Sequence, residues 1–162
     1  MSTKVTDTKV VTGAPRLAKR IATIRAGLGV AMFKEELAQL LLRRTLDRFD
    51  KEVDPDNQAW KPLKNKTKAD KRRLGYGGIL KRTLLLRNSI SIIRGNAEGT
   101  MYTNTGAGIR IGVRGPAADY GRYHQHGTPK MVQRRFLGVG ELDIKSVDSF
   151  LRRRADKVIG ES

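Results

Sequence analysis

Residues 116–138 read PAADYGRYHQHGTPKMVQRRFLG, and the rest of the chain is read outward from this stretch. Tyr120, Tyr123, His124 and Gly127 fall at spacings of three and four, the period of one face of a helix. Gly127 ends that helix, because glycine takes left-handed backbone angles without a steric cost. Pro129 then prevents the helix from resuming. An arginine pair, Arg134 and Arg135, leads into the apolar anchor Phe136 and Leu137. The stretch is a short helix, a turn and an anchor: an aromatic, basic module held in a fixed shape. Tyr120 and Phe136 are expected to be buried together with Trp60, and His124 to be a hydrogen-bonded structural residue.

On the C-terminal side, Ile144, Val147, Leu151, Ala155 and Val158 form an amphipathic stripe. A final helix follows, capped by Gly140 or Asp143 and ended by Gly160. Arg152, Arg153 and Arg154 lie where positive charge complements the helix dipole. On the N-terminal side, Ile109, Ile111 and Val113 alternate with Arg110 and Gly112, a strand with one apolar face. Met101 to Asn104 and Ser89 to Arg94 are two more strand-sized runs, and residues 95–99 look like a hairpin turn. An antiparallel meander is the simplest arrangement of the three. Ile79 to Ile90 (ILKRTLLLRNSI) is apolar enough to be buried, as a short helix feeding the first strand.

A long helix is expected over about Val30 to Lys51. Val30, Phe33, Leu37, Leu40 and Leu41 form one stripe, and Leu42, Leu46 and Phe49 lie on roughly the opposite side at 100° per residue. A small sheet covers one side of a helix only. Large apolar side chains left in water cost about 1.5–3 kcal/mol each, so another helix or a neighbouring subunit must cover the second side. Leu42, Leu46 and Phe49 are therefore expected at a subunit or partner interface, with Tyr123, His126, Arg134 and Arg135 of the module. Asp54-Pro55-Asp56-Asn57 is a turn, and Trp60 anchors the following loop to the core. Upstream, Leu17, Ile21, Ile24 and Leu28 suggest a helix starting near Arg16, broken at Gly27 and Gly29. Residues 1–16 are expected to be a flexible arm and 17–162 a single domain.

The 162 residues carry 38% hydrophobic and 30% charged side chains, with a formal net charge of +17 and a pI near 10.7. That excess implies an anionic partner. It is densest from Lys61 to Arg73, where Lys64, Lys66, Lys68, Lys71, Arg72 and Arg73 are expected to contact DNA or an acidic protein. No aromatics are interleaved there, against a single-strand stacking platform. Gly75, Gly77 and Gly78 around Tyr76 match no phosphate-cradling loop. The chain has no cysteine, which excludes disulfides and thiolate metal sites. His124 and His126 point apart on a helix and lack a third ligand, so no metal and no cofactor is expected. The acids are scattered, no nucleophile motif is present, and no helix-turn-helix or zinc pattern occurs. No apolar run reaches the roughly 20 residues of a membrane span, and the N-terminus lacks the apolar core of a signal peptide.

Taken in order, these pieces resemble the phage virion morphogenesis (tail completion) family of contractile-tailed phages, and more distantly the neck and tail-completion proteins of long-tailed phages. The resemblance runs from about Leu37 to the end of the C-terminal helix. It rests on DPDNQAWKPL after the long helix, the lysine-rich segment with Thr67 and Lys71, ILKRTLLLRNSI and IRIGV. Its most specific part is Tyr-x-x-x-His-Gln-x-Gly followed by Arg-x-Phe-Leu-Gly, at Tyr120 to Gly127 and Arg134 to Gly138. This chain has Leu84 and Asn57 where that family usually has glycine, and Arg135 where it usually has proline. The resemblance implies an α+β fold, with a long N-terminal helix and a C-terminal helix packed on a small antiparallel sheet. It further implies a non-enzymatic subunit of a ring, often hexameric, that completes the top of the tail and joins it to the head. The implied partners are other copies of itself, tail terminator or tail tube and sheath proteins, head-completion or portal-side proteins, and packaged DNA in the lumen. The implied location is the virion neck, after assembly in the host bacterial cytoplasm. The alternative is a non-catalytic, sequence-independent DNA-binding protein.

Overall fold

The structure is a computed structural model that describes residues 33–94, 101–104 and 109–160. The expected arm and first helix, and the turn at 95–99, lie outside the described residues. Helix α1 (Lys34–Lys51) carries Glu35 and Glu36 in its first turn and Arg48 and Lys51 in its last, each matched to the helix dipole. It stops where Glu52 takes left-handed angles, with φ 56°. The chain folds back through the expected turn. Asp54 Oδ1 accepts the N–H groups of Asp56 and Gln58, both at 2.9 Å, and Asn57 sits at φ 63°. Asparagine tolerates that angle, so the turn survives without glycine. Helix α2 (Asn65–Arg73) follows with no buried residue, then the short α3 (Leu85–Asn88).

The sheet has three strands, β1 (Ile90–Ile92), β2 (Met101–Asn104) and β3 (Arg110–Val113). Its order is β1-β3-β2, with both outer strands antiparallel to β3, instead of the expected meander. Val113 stands opposite Ile90 on one side and Met101 on the other. The reason is burial. Residues 111–113 are all buried, so the backbone groups of β3 have no access to water and must be paired along both edges. Helix α4 (Pro116–His126) then packs on β2, β3 and α3, and α5 (Glu141–Gly160) packs on α1.

Helix α1 has β1 and β3 against one part of its surface and α5 against another. Its own chain thus supplies covers on two sides. Phe49, expected on a strip covered by a neighbour, is 0% exposed. Its ring meets Trp60 edge-on at 5.3 Å and Phe136 at 5.5 Å between centroids. The 52–60 loop brings Trp60 back over the end of α1 and closes this aromatic cluster. Leu42 and Leu46 are half-buried against the same core. The run Ile79 to Ile90 also differs from expectation. Ile79, Leu86 and Ile90 are buried, but Leu84 and Leu85 are 43% and 50% exposed. Left-handed angles at Leu80 (φ 57°) and Leu84 (φ 58°) break the helical period and turn these side chains outward.

Candidate interaction surface

Several polar side chains in the 116–138 module hold the module itself. Gln125, buried in α4, donates to Leu137 O at 2.8 Å and accepts from the N–H groups of Phe136 and Leu137 at 3.0 Å. Trp60 Nε1 donates to Arg135 O at 2.8 Å. Arg134 and Arg135, expected at an interface, are internal fasteners. Arg134 is buried and donates to the carbonyls of Lys61 and Pro62 at 2.9 and 3.2 Å. Arg135 reaches Asp54 at 2.8 Å and also pairs with Asp56, tying the module to the turn after α1. Sequence gives the charge of these arginines but not the carbonyls and carboxylates that folding places within their reach. Gly127 closes α4, with φ 73° and ψ 172° instead of the expected left-handed angles; a Cβ there would press on Gln133 at 3.1 Å.

The outward side of the module is different. Tyr123 is 55% exposed, and His126 and Val132 are exposed beside it in sequence. Tyr120 and His124 are half-buried, their rings edge to face at 6.3 Å. Tyr120 is therefore less buried than expected, and burial raises its phenol pKa. Nor is His124 hydrogen-bonded at Nδ1, which is buried without a partner. Burial first, and the Arg134 charge second, hold its pKa below the usual histidine value.

A third arrangement was not legible in the sequence. Asp143, 1% exposed, accepts from Arg44 Nε at 2.6 Å, from the buried Arg48 guanidinium and from the Gly140 N–H at 2.8 Å. Arg48 also donates to the carbonyls of Phe136 and Gly138. Gly140 has no room for a side chain, since a Cβ would lie 1.7 Å from Pro55 O. The aspartate at the third position of α5 was a readable capping signal, but its arginine partners, nearly a hundred residues away, were not.

Two sets of cations behave differently. Arg44, Arg48, Lys81, Arg87, Arg94, Arg135 and Arg154 each reach a carboxylate. Lys64, Lys66, Lys68, Arg72 and Arg73 are exposed on and beside α2 and pair with no carboxylate of the described residues. Lys71 differs from its neighbours. Its Nζ donates to Gly77 O at 3.3 Å and to Gly78 O, and burial lowers its pKa despite Glu52 nearby. Between α2, the 74–84 loop, α3 and α4 lies an open groove of about 660 Å³, with His124 and Arg134 at its α4 side. Among the described residues, no three histidine, aspartate or glutamate side chains gather as metal ligands, and no helix is long and apolar enough to cross a membrane.

The fold and surface define a small α+β protein with a dense run of exposed cations on one short helix and a groove beside it. The chain belongs to the phage virion morphogenesis family, which matches residues 6–155, and its role lies in phage virion assembly. It is similar to Mu-like prophage FluMu G protein 1 of Haemophilus influenzae, with 25% identity over 143 residues, covering 88% of this chain and 89% of that protein. No solved structure matches the chain.

Proposed function

We propose that the protein is a non-catalytic structural subunit of the phage neck. It completes the top of the tail and, as a ring of identical copies, joins the tail to the head. Membership of a virion morphogenesis family supports this reading. The observation that carries it is the division of charge. Polar side chains in the interior are used to hold the chain together, while the exposed cations of α2 have no partner among the described residues. A free cationic face on a rigid subunit suits a neighbour made of packaged DNA or of acidic portal or tail surfaces. The test is a phage in which the reading frame is interrupted. Filled heads and separate, full-length tails are expected, and adding purified protein should restore joining. Normally joined particles, or tails arrested during elongation, would overturn the reading.

The exposed lysines also favour a second reading, a sequence-independent DNA-binding protein. Tight binding of duplex DNA by the purified protein, together with no effect on head-to-tail joining, would favour it over the first.

A further inference from the structure

The groove beside α2 has an apolar floor and a positive rim. Leu63, Leu80, Leu84, Leu85 and Leu86 line the floor, and Lys71, Arg73 and Arg82 stand around it against one acid, Asp70. None of these three cations pairs with a carboxylate of the described residues. Two features of the floor are costly to the folded protein and unexplained by its packing. Leu84 and Leu85 are 43% and 50% exposed, side by side, with Leu74 and Tyr76 also exposed on the same groove. Leu84 further holds left-handed backbone angles (φ 58°, ψ 1°), which oppose a side chain and suit glycine. A leucine that strains the backbone and then faces water does nothing for stability. Strain of this kind persists where a binding surface needs the side chain in that place.

We propose that this groove is a docking site for an acidic amphipathic segment of a partner protein, which lays large apolar side chains on Leu84 and Leu85 and its carboxylates against Lys71, Arg73 and Arg82. Charge complementarity selects this occupant. The chain's own apolar segment at 17–28 is itself basic, with Lys19, Arg20 and Arg25, and the rim repels it. A second copy carries the same +17. Duplex DNA satisfies the rim but has no apolar side chains for the floor. The inference rests on the assembly reading only for where the partner comes from; the binding itself does not depend on a place in the neck.

The test uses the full chain and two synthetic helical peptides. One carries leucines at i, i+3, i+4 and i+7 with glutamates elsewhere; the other has lysines in place of the glutamates. Binding is followed by fluorescence anisotropy of the labelled peptides. The acidic peptide should bind at least about tenfold more tightly than its lysine counterpart, and the difference should shrink as salt rises. Leu85→Ser should weaken binding roughly fivefold or more. Leu84→Gly should weaken it similarly while raising Tm, because the strain is relieved as the contact is lost. Equal binding of both peptides, unchanged binding by Leu85→Ser, displacement of the peptide by duplex DNA, or a self-association that Leu85→Ser abolishes would each overturn the proposal. Peptide binding that persists in a protein with no role in head-to-tail joining would sink the neck reading and leave the groove standing. The reverse result would sink only the groove.

Discussion

The buried Asp143 and the half-buried His124, whose Nδ1 is sealed from water, are opposite cases. Asp143 is surrounded by donors from Arg44, Arg48 and Gly140, and so joins α1, the start of α5 and the segment between them. Burial lowers the pKa of Arg48, with Asp143 the main opposing influence. A guanidinium in that position is tolerated only with its counter-charge beside it. Removing one partner of a buried pair leaves the other uncompensated, at about 3–5 kcal/mol. Asp143→Ala should therefore lose stability of that order in urea unfolding, while Ser149→Ala, exposed on the same helix, should lose far less. Similar losses for both variants would mean that the pair is not what secures α5. His124 lacks such compensation. Its Nδ1 has no partner, and burial and Arg134 keep its pKa below 6.5. The unfolded chain then binds the proton more readily than the folded one, so stability rises with pH. The contribution of His124 is complete above the unfolded value of 6.5. It declines as the pH falls below that value towards the depressed folded pKa. Asp54 is separate: hydrogen bonds from Arg135, Gln58 and Asp56 outweigh its burial, and its loss begins only below 3.8. Tm should fall as the pH is lowered from about 6.5 towards 5.5, and His124→Phe should flatten that slope. An unchanged slope in the variant would assign the titration to another group.

Helix α2 (Asn65–Arg73) shows how far an element can be read before its structure is seen. It buries nothing, so its composition describes most of it, an exposed basic surface; Lys71, held by the carbonyls of Gly77 and Gly78, is the exception. Replacing Lys64, Lys66, Lys68, Arg72 and Arg73 with glutamine should leave Tm nearly unchanged, since surface substitutions of this kind fall within about 0.5 kcal/mol. The same variant should bind duplex DNA or tails less well at low salt, and the defect should shrink as salt rises. A defect that ignores salt would point to altered folding instead. The long helix, the Asp54–Asn57 turn, β3 and the end of α4 at Gly127 were legible for similar reasons, because period and turn chemistry are local. The rest was not local. Phe49 lies about 120° around the helix from Leu37 at 100° per residue, but a helical wheel does not tell which segment returns to cover that side. Trp60 does so, and the cover comes from the same chain. Strand order depends on which strand is sealed from water on both edges, a property of the assembled sheet. Arg134 and Arg135 look like surface charge until the carbonyls of Lys61 and Pro62 and the carboxylates of Asp54 and Asp56 are brought to them. Leu84 is the reverse case, where the departure from glycine was visible in the sequence and its backbone strain appears only in the fold.

At the scale of the whole molecule, net charge sets the terms of assembly. A ring of subunits that each carry +17 works against its own electrostatic repulsion. The apolar surface left for self-contact is also limited. The own chain supplies covers on two sides of α1, which reduces the area expected there for a neighbour, and leaves Leu42 and Leu46 half-buried. Tyr123, Val132 and Leu142 remain as large exposed side chains on the module and α5. Head-to-tail contacts close a ring only if the rotation between subunits permits it, and here closure must also overcome like charge. On the proposed neck reading an anionic partner supplies that compensation, so a ring is expected to form on the virion and the free protein to be monomeric. Sedimentation should give a monomer near 18.1 kDa at low salt, with self-association increasing as added salt screens the repulsion. Tyr123→Ser should suppress that association and impair head-to-tail joining without lowering Tm, because the ring is exposed and holds nothing within the subunit. A stable oligomer at low salt that dissociates as salt rises would show that subunits attract one another through ion pairs, and templated closure would be wrong.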